Sequence, residues 1–292
     1  MHFFRLCGKR SFPPDRGRGS MDGELRRLQL YELEILDEFV RLCDGHGLRY
    51  FLVGGSLLGA VRHEGFVPWD DDIDVAMPRR DYERFAALCQ TELDGRWFYQ
   101  SHETDPHYFL SYAKLRRNDS FFYEERFRRS QFHKGISIDI FPLDPCPAPG
   151  PVCHLLFNVL AVMNYRGQVD SGEPYVPYKE LSGKLGFAVL RLFNARQLPK
   201  LRGRLLRLSR RLSRGTHAAI YSGAYGYYKE VFPASWFDTP AKLPFEGKAL
   251  SVPCGWDGYL HTIYNDYMVP PEEAKRRPAH QLWFRGPDEE NK

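Results

Sequence analysis

The chain of 292 residues predicts an α/β (α+β) architecture, a mixed sheet flanked by helices, with a further helical region appended. Three observations carry this. Helical and strand periodicities alternate along residues 21–145. A short apolar run, RYFLVGG at 49–55, ends in two glycines that turn the chain into another helical pattern. A composition break, CPAPGP at 146–151, then separates the alternating part from a mainly helical stretch. The order helix, strand, helix, strand, helix and three further strands is that of an α/β sandwich.

Taking the elements in order, residues 1–20 carry no periodicity and are expected to be a disordered tail, with Met21 an alternative start. Leu25, Leu28, Leu33, Leu36, Phe39, Val40 and Cys43 recur at helical spacing between Asp22 and Asp44, and Gly45 and Gly47 supply a stop. After the strand in RYFLVGG, Ser56 is placed to cap the helix of SLLGAVRH. In DDIDVAM, Asp72 and Asp74 alternate with Ile73, Val75 and Met77, a period of two that sets both carboxylates on one strand face. PRRDYERFAALCQTEL reads as a helix. FLSYAKLRRNDSFFYEE (109–125) reads as a strand, a turn at Asn118-Asp119 and a second strand. GISIDIFPLDP (135–145) is a strand in which Asp139 interrupts Ile136, Ile138 and Ile140. Residues 152–213 are expected to be helical, interrupted by QVDSGEPYVPY and kinked or broken at Pro199. Residues 216–286 include FEGKALSVPCGWDGYLH, a strand and a short helix. The expected division is a tail (1–20), a core (21–145), a helical region (151–215) and a C-terminal part (216–286).

With 43% hydrophobic and 15% aromatic residues, the chain can bury a proper core, and its composition excludes disorder, collagen and coiled coil as classes. The six cysteines show no metal-finger spacing and read as free thiols in a reducing compartment. No apolar run approaches the ~18–20 residues of a membrane span, and a cytoplasmic location is expected. The net charge of +4 is mild and concentrated in residues 191–214, dense in arginine with no acid. Such a helix suits either a solvated face over the core, the preferred reading, or peripheral contact with an anionic membrane surface. Nucleic-acid binding is not expected, since no reader motif is present.

The chemistry concentrates at PWDDDIDVAMP, with four aspartates at positions 70–74. Like charges this close repel unless a cation lies between them. Asp72 and Asp74 can share a divalent cation, and Asp139 is the candidate third ligand, because an unpaired charge in an apolar strand costs several kcal/mol. An all-oxygen set favours Mg²⁺ or Mn²⁺, and Mg²⁺ leaves positions for substrate phosphates. An EF-hand loop, which Asp70, Asp72, Asp74 and Asp81 fit by spacing, is excluded by Val75 where glycine is required. Gly54, Gly55 and Ser56 form a turn through which backbone can approach a ligand closely. Arg62 and Lys114 are candidates to pair with phosphate, against the plainer reading of surface charge. Trp69 reads as a buried anchor, Asp70 and Asp71 as residues that orient the loop, and Asp144 as turn chemistry.

A strand, GGS and helix, followed by Asp-Ile-Asp-Val and a later apolar-Asp-apolar strand, resemble the pattern of the nucleotidyltransferase superfamily. The longer phrase FLVGGSLLGAVRHEGFVPWDDDIDVAMPRRDYERF resembles the signature of the LicD family, the phosphocholine transferases related to fukutin, and the likeness extends over roughly residues 25–275. It implies a nucleotidyltransferase-like core and Mg²⁺-dependent transfer of a phosphorylated alcohol from a CDP-linked donor to a hydroxyl of a cell-surface glycan, its precursor or a lipid-linked acceptor. Asp72, Asp74 and Asp139 would then hold the metal, with Asp139 also placed to take the acceptor proton, and Gly54, Gly55 and Ser56 would hold the donor phosphates. Two other readings stand beside it: a nucleotidyltransferase adding NMP to a small-molecule hydroxyl, and a catalytically dead glycan-binding module.

Overall fold

The computed structural model describes residues 21–170, 198–280 and 283–289. The expected tail, most of the interrupting loop and residues 191–197 of the arginine-rich stretch lie outside the described residues.

The chain opens on α1 (Met21–Gly45), whose apolar stripe of Leu28, Ile35, Leu36, Phe39, Leu42 and Cys43 is buried against the sheet. The strand of RYFLVGG shortens to β1 (Phe51–Leu52), because Gly54 already opens α2 (Gly54–His63). β2 (Asp74–Pro78) follows, with Asp72 just before its first residue, and Pro78 hands over to α3 (Arg79–Glu92). β3 (Trp97–Gln100), β4 (Ala113–Arg117) and the ten-residue β6 (Ser137–Cys146) complete the main layer, while β5 (Phe121–Phe122) stands apart from it.

The strand order is β1-β2-β6-β4-β3, with β2 and β6 parallel and the other neighbours antiparallel. This is the mixed sheet the alternating pattern predicts. The long β6 outruns its partners, and Asp144–Cys146 pair instead with β7 (His217–Ala219), which pairs with β8 (Val231–Pro233). α4 (Pro151–Asp170) and α5 (Leu198–Leu212) pack together over a small core of Cys153, Phe157, Leu160, Met163 and Leu198. In α5, Leu201, Leu205 and Leu206 lean on that core, whereas Arg204, Arg207, Arg210 and Arg211 are exposed. The arginines therefore form a solvated face over packed leucines. Arg202 alone turns inward, donating to the Leu160 carbonyl at 3.4 Å and Asn164 Oδ1 at 3.2 Å.

Three readings change. FEGKALSVP is a hairpin rather than one strand: β9 (Pro240–Phe245) and β10 (Lys248–Pro253) meet at Glu246 and Gly247, with φ of +49° and +77°. Glu246 tolerates that backbone because its carboxylate accepts from Arg26 at 2.7 Å and from the Phe66 amide at 3.3 Å. The second strand of 109–125 leaves the sheet, and β5 pairs with β11 (Phe284–Arg285). Asp144 is no turn residue: it is buried in β6 and takes both Nε and Nη2 of Arg79 at 2.7 Å. After β10, α6 (Trp256–Tyr264) buries Tyr259, Leu260 and Ile263 in the main core, so the C-terminal part shares the hydrophobic interior of the sheet.

Candidate active site

Strand register builds the site. Asp74 of β2 lies opposite Asp139 of β6, and Asp139 opposite Lys114 of β4. Residues directly opposite one another share a sheet face, so three strands set an acid, an acid and a base in one row. Lys114 Nζ donates to Asp139 Oδ1, and both side chains are buried. Asp72, two residues before the row, lines a cavity together with Asp139 and Lys114. Of the three sequence-predicted acids, Asp72 and Asp139 share this cavity, and Asp74 stands beside Asp139 in the row.

The electrostatics match the crowding. Burial, then Asp71 and Asp139, pushes Asp72 up to about 6. Burial, then Asp72 and Asp139, lifts Asp74 well above the carboxylate range, and burial and Asp72 do the same to Asp70. Carboxyls in this state hold protons they would release to a cation.

The GGS turn has a specific structural task here. Gly54 sits at φ +55°, and a Cβ there would lie 2.7 Å from Asp74 Oδ2. A Cβ on Gly55 would collide with Asp70 Oδ2. The two glycines thus let two carboxylates press against the start of α2. The Gly54 amide donates to Tyr259 Oη at 3.2 Å, and the buried Ser56 hydroxyl accepts from the Asp74 amide at 2.8 Å, tying α2 to β2. Ser56 therefore holds the acid strand rather than capping its own helix.

Arg62 is not brought to the cavity. It lies at the far end of α2, donating to the Tyr267 carbonyl at 2.8 Å, with its guanidinium 6.0 Å from the Trp69 ring. Arg276 lies 5.6 Å from the same ring, so Trp69 is a half-buried anchor between two cations at the rim.

Four ionisable residues of the cavity were not singled out from the sequence as site residues. Glu32 of α1 is 3% exposed, and burial followed by Asp72, Asp71, Asp70 and Asp139 raises it well above its usual range. It stands four residues after Leu28 and four before Leu36, on the apolar stripe, and that placement is a readable signal. His280 and Glu124 also line the cavity, with His280 Nε2 3.6 Å from Glu124 Oε2. Asp71 accepts from the backbone amides of Ala279 at 3.3 Å and His280 at 2.8 Å, so it orients a distant segment rather than its own loop.

Residues 47–148 match the family described as LicD/FKTN/FKRP, nucleotidyltransferase domain. The chain is 28% identical over 271 residues to lipopolysaccharide cholinephosphotransferase LicD of Haemophilus influenzae, covering 88% of this chain and 96% of that protein. Over 42 residues it is 48% identical to human ribitol 5-phosphate transferase FKRP, 14% of this chain and 8% of that protein. Matched through its central acid-bearing strands and aligned with a LicD protein along most of its length, the chain is similar to the LicD family.

Proposed function

We propose that this chain transfers a phosphorylated alcohol of the phosphocholine kind from a CDP-linked donor to a hydroxyl of a cell-surface glycan or its precursor. The observation that carries the reading is Asp74 beside Asp139 on two adjoining parallel strands, with Asp72, two residues before β2, lining one cavity with Asp139. The two relatives named above are by their names transferases of a phosphorylated alcohol, cholinephosphate in one and ribitol 5-phosphate in the other.

The donor set fits a hard divalent cation, Mg²⁺ or Mn²⁺: all three groups are carboxylates, and Asp72 and Asp139 raise the proton affinity of Asp74 as Asp139 raises that of Asp72. Asp72, Asp74 and Asp139 would hold it, and bound there it would neutralise charge on the donor diphosphate and leaving CMP. The residues supply the rest. Lys114 fixes one oxygen of Asp139, leaving the other to face the acceptor hydroxyl and take its proton. Gly54 and Gly55, with Ser56 anchoring the turn, let the Asp74 and Asp70 carboxylates pack against the start of α2, and the donor phosphates would lie beside those carboxylates. A lipid-linked acceptor would bring the chain to a membrane surface, and the exposed arginines of α5 suit such contact. Among the described residues no helix is long and apolar enough to cross a membrane. The cytoplasmic location remains part of this proposal.

The test is to incubate the protein with CDP-choline and with CTP in turn, each with Mg²⁺ and a glycan acceptor, and to identify the released product. CMP from CDP-choline supports transfer of the phospho-alcohol. Pyrophosphate from CTP would replace this reading with nucleotidyl transfer, and no turnover of either, across a panel of CDP-alcohols, would favour a binding module.

A further inference from the structure

The cavity beside the acid row holds a donor set that the row does not use. Ligand atoms of Asp71, Asp72 and His280 lie within 4.8 Å of one another. Asp71 is 1% exposed, and its Oδ2 is 3.3 Å from His280 Nδ1. Asp74 is not among the residues lining this cavity; it faces Gly54 instead. An independent observation comes from α1. Glu32 lines the same cavity, is 97% buried by its 3% exposure, and its Oε2 has no hydrogen-bond partner. A carboxylate oxygen left without a donor in the interior costs free energy that a cation would recover.

From this we infer a second divalent-cation site, formed by Asp71, Asp72, His280 and Glu32, that shares Asp72 with the row but is otherwise separate from it. Asp71 accepts its two backbone amides and still has lone pairs for a metal, since a carboxylate offers about four acceptor positions. The imidazole changes the selectivity. Three carboxylates and one nitrogen suit Mn²⁺, Fe²⁺, Co²⁺ or Zn²⁺ better than Ca²⁺ or Mg²⁺, which prefer all-oxygen sets. Lys114, which lines the same cavity, donates its hydrogen bond to Asp139. The site also has a structural meaning: it links α1, the 70–72 loop and the segment after Arg277 through one ion, so that loading would fasten these three elements together.

The competing arrangement is an imidazolium held between Asp71 and Glu124 with no metal. The two are separated by titrating the full-length protein with Mn²⁺, counting free ion by electron paramagnetic resonance, and recording nitrogen modulation from the bound ion. Wild type is expected to bind one more Mn²⁺ than His280→Gln and to show nitrogen modulation that His280→Gln lacks. Glu32→Gln should weaken the same ion by tenfold or more while the other stays. Asp74→Asn should remove the ion of the row and leave the nitrogen-modulated one, so the two assignments fail separately. Unchanged stoichiometry and spectrum in His280→Gln, with the fold intact by circular dichroism, overturn the inference. The backbone amide of His280, not its side chain, holds Asp71, so that variant is expected to fold.

Discussion

Two glycines in left-handed backbone show what the acids demand of the chain around them. Gly54 combines a left-handed φ of +55° with a carboxylate where its Cβ would go, whereas Gly47, at φ +60°, has open space around it. Gly47→Ala should therefore cost only backbone strain, about 1–3 kcal/mol, and Gly54→Ala more, because Asp74 must also move. Urea unfolding of both measures the difference, and only Gly54→Ala should lose turnover. Asp72→Asn and Asp74→Asn are expected to fold and to lose at least ~10²-fold in kcat, the scale of deleting one preorganised charge-stabilising group. Wild-type turnover in either would remove the metal assignment. Glu230, which is not among the proposed ligands, gives a further electrostatic prediction. It is 3% exposed, accepts from the Tyr225 amide at 3.0 Å, and burial pushes its carboxyl up to about 8. A raised folded-state value means that its contribution is intact below about 4.5 and lost as pH rises through about 8. Glu230→Gln should thus gain stability over wild type as pH rises from 5 to 8, by at most about 1.4 kcal/mol per pH unit. Thermal melts across that range check the sign. The aspartates and glycines were legible in the sequence because repulsion and backbone freedom leave local signatures. Glu32 was readable only from the helical stripe it occupies, and reading that stripe by its apolar members passes over the one acid within it.

Between elements, the informative object is the row Asp74, Asp139, Lys114. Period-two alternation announces which face each aspartate takes, but not which strand adjoins which; the parallel pairing of β2 with β6 is a tertiary choice. Lys114 looks like one base among several in YAKLRR, and only the register places it on Asp139. Removing it should be severe. Lys114→Met leaves a buried carboxylate without its partner, a loss of about 3–5 kcal/mol. Lys114→Met with Asp139→Leu should recover most of that stability, since an apolar pair replaces an ionic one, while activity stays lost. Stability without activity in the double variant, measured by urea unfolding beside CMP release, is the expected pattern; an additive loss of stability would show that the two residues do not act as a pair. The same limit explains the other differences. The β5 sequence has strand propensity, yet its partner β11 lies more than 160 residues later, and the bidentate Arg79–Asp144 pair spans 65 residues. No local pattern encodes such pairings.

The whole molecule closes on itself through its last described segment, and this was the least legible part of the fold. Residues 278–289 carry little periodicity, but the anchors are specific: Asp71 takes the Ala279 and His280 amides, Asp288 accepts from the Tyr31 hydroxyl, Glu289 pairs with Arg27, Phe284 packs edge-on against Tyr31, and β11 adds to β5. All of these contacts reach either α1 or the walls of the acid cavity, and none reaches the α4–α5 layer. Deleting residues 278–292 should accordingly leave the sheet and the α4–α5 core folded while uncovering one end of the site. Asp71, 1% exposed and stripped of two amide donors, would have to rehydrate, and the 70–72 loop with it. Hydrogen exchange should then speed up in residues 27–32 and 70–72 and stay unchanged in α4 and α5, with turnover lost although the circular dichroism spectrum persists. Uniform deprotection would mean that the segment stabilises the fold at large; protection and turnover equal to those of the full chain would mean that the cavity does not need it. The expected, local result follows from where the anchors fall: the contacts named above lie in the acid-bearing half of the molecule, so their loss should be felt there.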